Sequence, residues 1–586
     1  MSSSSYTISD NKVVIRFRDR SCDTSEELLT SRLFKDILTR CIHDLAQRRS
    51  RLLNIFGHTP VTEQDIALLI NAFLFLIKLP ADLVIRLLPE AEILFRDRSL
   101  LNDFVEHFYN YWRSFERIVI LEAIGDRFDK RPYRTFNNTV ETLMHVIRST
   151  YRDLQENITG VHPKIFRQVG AGAEIGAIAL PKNISLPDGV YQVLSPISML
   201  RQVLIYPPLI LNPPMNKRTG VFERVYSNPL EQVPIRPSDW LCYPARVGEL
   251  FILIYFSTRF FELGFSLSNL FDLADDEDLK RKPDAIYLYG VPAADFRSNS
   301  TSQTIFFDDE ENDVLIAAIP DKKEFGYFGY LKKMALTLHN ICMMKKGKLP
   351  FHGALVNISL HDHGSFSALI FGDTGAGKSE TLEALRTIGS EKLGDIIIIA
   401  DDMGSLTRTE DGVIRGYGTE IGAFVRLDDL QPGYAYGQID RTIIMSPSLV
   451  NARVVLPVTT FDQVIKGYPI DLVLYANNYE TIDDDHPIYA PLDTWQEALE
   501  VFRAGKVMSK GTTTSSGLVQ TYFANVFGPT QYQDLHEKLA EQYFKYFYEL
   551  GIPVGQLRTQ LGIPGKERSG PELAARELLS VLERLR

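Results

Sequence analysis

Residues 368–402 of the chain read ALIFGDTGAGKSETLEALRTIGSEKLGDIIIIADD, and this stretch decides the expected fold. Residues 368–371 form a short apolar run, which is typical of a buried strand. Residues 372–379 then fit the phosphate-loop pattern G-x-x-x-x-G-K-[ST] at every fixed position. The segment 379–387 reads as a helix. A strand, a glycine-rich loop and a helix in this order predict a phosphate-binding loop.

The residue types in the loop are those that phosphate binding requires. Glycines let successive backbone N–H groups turn inward without a Cβ clash, and the helix N-terminus favours an anion. Lys378 supplies a point charge for the β- and γ-phosphates, while the Ser379 hydroxyl can reach a magnesium ion. The predicted nucleotide-binding residues are Gly372, Asp373, Thr374, Gly375, Ala376, Gly377, Lys378 and Ser379.

A second apolar run, 396–400, ends in the carboxylates of Asp401 and Asp402. Magnesium is commonly held by acids at the end of a buried strand beside a phosphate loop. A plain glycine-rich turn would not explain Lys-Ser followed by paired acids. The whole stretch therefore predicts a site for a nucleoside triphosphate and Mg²⁺.

Composition sets the broad class. The chain has 586 residues, of which 45% are hydrophobic and 23% charged, as in ordinary globular proteins. Its formal net charge of -11 gives no reason to expect nucleic-acid binding. The four cysteines show no C-x-x-C spacing, the N-terminus has no secretory signal pattern, and no apolar window is long enough to span a membrane. These features predict a cytoplasmic protein with no membrane partner.

The length predicts roughly three or four domains. Residues 1–160 are expected to form an all-helical accessory domain, because apolar residues recur there at helical spacing and Thr62 begins a capping pattern. Residues 161–324 are richer in glycine, proline and β-branched residues and predict a smaller α/β domain. Residues 325–586 contain the phosphate loop and predict the nucleotide- and metal-binding catalytic domain. The expected fold class is therefore α/β.

Several segments around the loop carry a family resemblance. They are Tyr327 with Lys332-Lys333, His352 in Pro-Phe-His-Gly-Ala, 451–457 (NARVVLP), 506–513, 523–528 (FANVFG) and 565–569. In this order, they make residues 325–586 resemble the phosphoenolpyruvate carboxykinase and HPr kinase superfamily of phosphate-loop proteins. The loop itself is most similar to HPr kinase, and its flanks to ATP-type phosphoenolpyruvate carboxykinase. The resemblance implies a carboxykinase-like phosphate-loop domain.

The resemblance also implies a site with two metals. Lys333, His352 and Asp402 would hold Mn²⁺, whereas Ser379 and Asp401 would hold the Mg²⁺ that accompanies ATP. A lysine ligates only as the neutral amine, so its pKa must be depressed. Judged without the loop, an isolated histidine is more often a core residue and an isolated lysine more often a solvated one.

The catalytic residues implied by the resemblance are Lys333, Lys378, Arg453 and Tyr327. Lys378 and Arg453 would neutralise charge during phosphoryl transfer, and Tyr327 would line a pocket for a small carboxylate substrate. From the sequence alone, Arg453 has an alternative role as an ion-pair partner of Asp471 or Glu420.

Some family positions have no match. The adenine-side arginine is expected near Thr513 or Thr514, and Met-Gly-Ser follows Asp402 where the family has further functional residues. The arginine that would bind substrate is not placed; Arg218 and Arg224 are the candidates.

The leading expectation is conversion of oxaloacetate and ATP into phosphoenolpyruvate, ADP and CO₂. One alternative is a kinase with a protein or small-molecule acceptor, and another is a nucleotide-gated interaction protein without catalysis.

Overall fold

The computed structural model describes residues 5–9, 11–18, 21–122, 130–180, 184–218, 220–294, 296, 302–389, 391–430, 439–510 and 516–585. The chain forms two compact units. The first unit comprises Met1–Leu180 and Leu200–Tyr206, and the second comprises Pro181–Met199 and Pro207–Arg586. The protein is mixed α/β, as predicted. The predicted domain boundaries at 160/161 and 324/325 stay predictions.

The first unit is not all-helical, so that prediction is wrong. Its strands are Ser5–Ile8 (β1), Lys12–Phe17 (β2), Glu116–Glu122 (β3), Ile175–Leu180 (β4) and Met199–Ile205 (β5), which reaches this unit from residue 200, and they pair in the order β1-β2-β3-β4-β5. β2 and β3 run parallel, from Lys12 opposite Glu116 to Phe17 opposite Leu121. The error arose at β3, a four-residue apolar run between charged residues, because periodicity cannot distinguish a short buried strand from a buried helical turn.

The helices of the first unit do follow the predicted spacing. They are Ser25–Leu29 (α1), Arg32–Gln47 (α2), Glu63–Leu76 (α3), Ala81–Leu87 (α4), Arg98–Arg113 (α5) and Lys130–Thr159 (α6). Thr62 caps α3 through a capping box with Asp65, which satisfies two otherwise unpaired donors. Apolar side chains of α3, α5 and α6 share one buried cluster, while α6 also packs on the sheet.

The second unit contains most of the strands. They are Leu209–Leu211 (β6), Glu223–Val225 (β7), Trp240–Val247 (β8), Leu250–Ser257 (β9), Asp272–Leu273 (β10), Ala285–Val291 (β11), Ile305–Asp309 (β12), Val314–Pro320 (β13), Leu349–Leu360 (β14), Gly364–Phe371 (β15), Leu393–Ala400 (β16), Met403–Arg408 (β17), Ile414–Gly418 (β18), Gly422–Arg426 (β19), Ile443–Met445 (β20), Arg453–Pro457 (β21), Tyr468–Pro469 (β22), Leu472–Asn477 (β23), Tyr489–Pro491 (β24), Lys506–Lys510 (β25), Ser516–Gln520 (β26) and Val554–Arg558 (β27). Its helices are Phe261–Phe265 (α7), Phe328–Lys345 (α8), Lys378–Ile388 (α9), Phe461–Ile465 (α10), Trp495–Ala504 (α11), Pro529–Glu549 (α12) and Ser569–Arg584 (α13). None of the helices described combines the length and apolar character needed to cross a bilayer.

Four groups of strands organise this unit. One sheet has the order β8-β9-β11-β13-β12-β7, with β10 beside β8, and its strands β9, β11 and β13 are parallel and fully buried. A second has the order β22-β18-β17-β14-β15-β23-β27-β24, with β16 beside β14. A third is β19-β21-β20-β6, and β25 pairs with β26. Helices α9 and α13 pack in the core of the second sheet, which holds the phosphate loop at the end of β15.

Candidate nucleotide and metal site

The predicted phosphate loop joins β15 to α9. Gly375 and Gly377 have φ values of 80° and 92°, in the left-handed region that favours glycine. A Cβ on Gly377 would stand 2.5 Å from Thr559 Oγ1. The Thr559 hydroxyl donates to the carbonyl of Ala376 at 2.7 Å and so fixes the loop from β27's end. The positive φ of both glycines, and the close approach of Thr559 to Gly377, explain why glycine stands at these two positions, as the sequence pattern predicted.

Lys378 is buried at the start of α9. Its Nζ donates to the carbonyl oxygens of Gly372 at 2.6 Å and Asp373 at 3.1 Å. An ammonium has three donors, so these two bonds orient the lysine within the loop and leave one for a phosphate oxygen. Ser379 follows in the first turn of α9 with an exposed side chain, beside the positive end of the helix dipole. This arrangement suits an anion and its metal ion.

His352 connects the loop to the paired acids. It lies on β14, which pairs with β15 on one side and with β16 and β17 on the other. Its Nε2 lies 2.8 Å from Asp402 Oδ1, and its Nδ1 lies 3.9 Å from Asp373 Oδ1 of the phosphate loop. The ring also bonds through Nδ1 to the carbonyl of Ala524. A carbonyl only accepts, so Nδ1 carries the hydrogen and Nε2 faces Asp402.

The two acids have opposite electrostatic character. Burial raises the pKa of Asp401, and the neighbouring charge of Asp402 raises it further. Burial would also raise the pKa of Asp402, but Lys332 and His352 hold it well below its usual range. Asp402 is therefore a firmly ionised carboxylate, whereas Asp401 is the acid whose negative charge an added cation would stabilise most.

Lys332 and Glu420 complete the cluster, and sequence reasoning assigned neither to the site. Lys332 Nζ lies 2.7 Å from Asp402 Oδ2 and 3.1 Å from Glu420 Oε1, and both side chains are almost fully buried. Burial alone would lower the pKa of Lys332, but these two carboxylates raise it. Burial raises the pKa of Glu420 to about 8. Glu420 was considered only as a partner of Arg453, because no local pattern joins it to α8.

Lys333, the predicted metal ligand, lies one residue further along α8. Its Nζ stands 4.8 Å from the centre of the Phe527 ring. Burial and the charge of Arg218 together lower the pKa of Lys333 to about 8, against the opposing charges of Asp402 and Asp373. Lys333 therefore has the depressed pKa that ligation by an amine requires, while the ion pair to Asp402 belongs to its neighbour Lys332.

Arg453 and Tyr327 both lie beside the Phe424 ring. Burial raises the pKa of the Tyr327 hydroxyl, and the positive charge of Arg453 opposes that rise. The Arg453 guanidinium stands 5.5 Å from the Phe424 ring centre. Its buried Nε has no hydrogen-bond partner in the part of the chain that the structure describes. Asp471 instead accepts from the backbone of Ser367 at 2.7 Å. Neither alternative ion-pair partner of Arg453 is therefore used.

The structure also separates the two arginine candidates for the substrate side. Arg218 is half-buried, and its pKa is lowered by burial, with Tyr330 and Tyr327 acting in the opposite direction. The same charge acts on Lys333. Arg224 lies 3.7 Å from Asp308 and 3.4 Å from Glu310, so its charge is already compensated. Arg218 is the better candidate.

The implied Mn²⁺ site depends on the amine of Lys333. Among the residues described, no three His, Cys, Asp or Glu side chains stand together as a metal site. A site would therefore need the Lys333 amine beside His352 and Asp402, with substrate or water oxygens completing it. Glu420 lies beside this set, with its Oε1 3.1 Å from Lys332 Nζ and its pKa raised by burial. The expected adenine-side positions, Thr513 and Thr514, lie outside the described residues.

No protein-family model matches the chain, and no curated protein matches it.

Proposed function

We propose that the second unit is a metal-dependent phosphotransferase resembling phosphoenolpyruvate carboxykinase, which converts oxaloacetate and ATP into phosphoenolpyruvate, ADP and CO₂. One observation carries the proposal: the His352 ring contacts Asp402 at 2.8 Å and lies 3.9 Å from Asp373 of the phosphate loop. This contact supports a single site in which His352 and Asp402 lie beside the phosphate loop.

The loop residues would bind and orient the nucleotide. Backbone N–H groups of 372–377 would surround the phosphates, and Lys378 would place its remaining donor on the β- and γ-phosphate oxygens. Ser379 and Asp401 would hold Mg²⁺ with the nucleotide. Because Lys378 is already oriented by two carbonyls, its charge needs little reorganisation when the γ-phosphoryl group moves.

The substrate would lie beside Lys333, Tyr327 and the two arginines. Arg218 would supply positive charge for the carboxylates of oxaloacetate. The bond to the departing carboxylate breaks, its electron pair forms the enolate, and the enolate oxygen then attacks the γ-phosphorus as the bond to ADP breaks. Mn²⁺ held by Lys333, His352 and Asp402 would supply Lewis-acid stabilisation of the enolate. Arg453, whose Nε is unpaired here, would neutralise the transferring phosphoryl group.

A coupled assay tests this function. Purified full-length protein with Mn²⁺, Mg²⁺, ATP and oxaloacetate should form phosphoenolpyruvate, and Lys333→Ala and His352→Ala should abolish its formation. The control is Lys392→Ala, an exposed lysine paired with Glu583. Electron paramagnetic resonance of Mn²⁺ provides a readout independent of turnover, because His352→Ala should weaken Mn²⁺ binding. ATP binding without phosphoenolpyruvate formation for any nucleotide would refute the carboxykinase function.

One observation favours a kinase with another acceptor as the second candidate. Lys332 already pairs with Asp402 at 2.7 Å, so Mg²⁺ at Ser379 and Asp401 would suffice for simple phosphoryl transfer. In that case γ-labelled ATP should transfer label to a protein or small-molecule acceptor, and Lys333→Ala should leave this transfer unchanged.

A further inference from the structure

The first unit contains an apolar cavity of about 110 Å³. The described part of its wall is formed by residues of β1, β2, α1, α2, α3, α5 and α6. Phe17, Phe34, Phe73, Trp112 and Leu143 contribute large apolar surfaces to this wall. All of the described residues that line the cavity belong to the first unit.

Several polar groups around the cavity are directed to partners elsewhere. The Trp112 indole N–H donates to the carbonyl of Ala171 at 2.6 Å. The Tyr151 hydroxyl donates to Glu106, and Thr150 to the carbonyl of Val146 at 2.7 Å. Their rings and methyl groups are what remain to face the interior. A buried water needs two to four polar partners, so this wall favours an apolar occupant over water.

The geometry of the wall keeps the space open. Tyr109 and Tyr151 stack with ring centroids 3.9 Å apart, and the hydrogen bonds of Tyr151 and Trp112 fix their orientations. Phe17 packs on Phe136 with centroids 6.1 Å apart. Rigid rings held at both ends cannot turn inward to fill the volume, so the cavity persists as part of the fold.

We propose that this cavity is a binding site for a small uncharged apolar molecule, of about the size of one six-membered ring or a short branched hydrocarbon. An engineered apolar cavity of about 150 Å³ binds benzene, so the volume is of the right order. A charged head group is excluded, because the polar groups named above are already paired and an unpaired buried charge is strongly unfavourable. This inference does not depend on the function proposed for the second unit.

Titration calorimetry of the full-length protein with benzene tests the proposal. Benzene should bind saturably with one site and raise the midpoint of thermal unfolding as its concentration increases. Leu28→Phe, which adds a ring to the cavity wall, should weaken benzene binding at least tenfold. The control Leu83→Phe makes the same change on α4 at a residue that is 41% exposed and does not line the cavity, and it should leave binding unchanged.

If Leu28→Phe fails to fold, Ile147→Phe on α6 provides a second cavity-filling variant. The benzene titration of the unmodified protein tests the proposal without either variant. Absence of saturable benzene binding would overturn the proposal, as would equal binding by a folded filling variant. Octanoate, an apolar chain that ends in a carboxylate, tests whether the cavity binds a charged lipid chain instead of an uncharged hydrocarbon. It should not displace benzene, and octanoate binding as tightly as benzene would overturn the uncharged class.

Discussion

The apolar cavity of the first unit and the charged site of the second unit bury opposite kinds of chemical group. Around the cavity, polar groups such as the Trp112 indole are paired and apolar carbon faces the interior. In the charged site, Lys332, Asp402 and Glu420 are buried together in direct contact. A buried charge is tolerated only with a partner, whereas an apolar void is stabilised by any apolar molecule that fits. The first arrangement suits passive binding and the second suits chemistry.

In the charged site, ion pairing does not compensate every buried charge equally. Lys332 compensates Asp402 well but Glu420 poorly, since burial raises the pKa of Glu420 to about 8. On the other side, burial and Arg218 lower the pKa of Lys333 to about 8. Perturbations of this kind in both directions are characteristic of functional sites. The predictions below begin with the largest expected effect.

Removing the central lysine should destabilise the second unit most. Lys332→Met leaves two buried carboxylates without a cation, which should lower the free energy of unfolding by about 3–5 kcal/mol in urea titrations. Adding Glu420→Gln to this variant should restore part of the loss, because one of the uncompensated charges is then removed. A loss below about 1 kcal/mol would mean that the buried cluster is not held by Lys332.

Enlarging the apolar cavity should have the next largest effect. Leu143→Ala removes a buried side chain from the cavity wall and should lower the unfolding free energy of the first unit by about 3 kcal/mol. Saturating benzene should recover part of that loss. Leu573→Ala, on α13 and 39% exposed, is the matched control and should change stability by less than about 1 kcal/mol. Equal losses in the two variants would contradict a persistent cavity.

The third prediction concerns the pH dependence of stability, to which two buried, uncharged histidines contribute. Burial lowers the pKa of His339 and of His536 to about 4. A depressed folded-state pKa contributes stability above the unfolded value, near 6.5, which is lost as the pH falls toward 4. Lowering the pH from about 7.5 to about 5 should therefore cost about 2 kcal/mol per histidine. His339→Gln should remove about half of the combined dependence, and an unchanged slope would show that this histidine does not carry it.

The smallest effect is expected at a surface ion pair. Lys545 and Glu541 are paired on α12, with side chains 42% and 50% exposed. Solvent screens such pairs, so Glu541→Ala should change the free energy of unfolding by no more than about 0.5 kcal/mol. A larger change would remove the distinction between buried and surface charge on which the comparison rests.

The sequence predicted the local features of the site well. The expected strand at 368–371, helix at 379–387 and strand at 396–400 correspond to Gly364–Phe371, Lys378–Ile388 and Leu393–Ala400. These elements carry strong local signals, namely glycine positions, apolar runs and a helix start, which act within a few residues. The contact of His352 with Asp402 was also expected, although from the family resemblance rather than from spacing.

Long-range features were beyond such reasoning. Lys332 and Glu420 are 88 positions apart in number and meet only through the packing of α8 against the strands that precede Glu420. The strand Glu116–Glu122 was missed because a short buried run has no distinctive period. The cavity could not be predicted, since a void is set by how rings from several elements pack and no single segment encodes it.

Equilibrium binding of MgATP tests the central claim, a nucleotide-phosphate site built on Lys378, most directly. Calorimetry should show one saturable site in the unmodified protein. Lys378→Ala should weaken it by about 10–100-fold, the value of a lost charge-assisted hydrogen bond, while Lys392→Ala should not change it. Absence of MgATP binding by the folded protein, or equal affinity in Lys378→Ala, would contradict the claim.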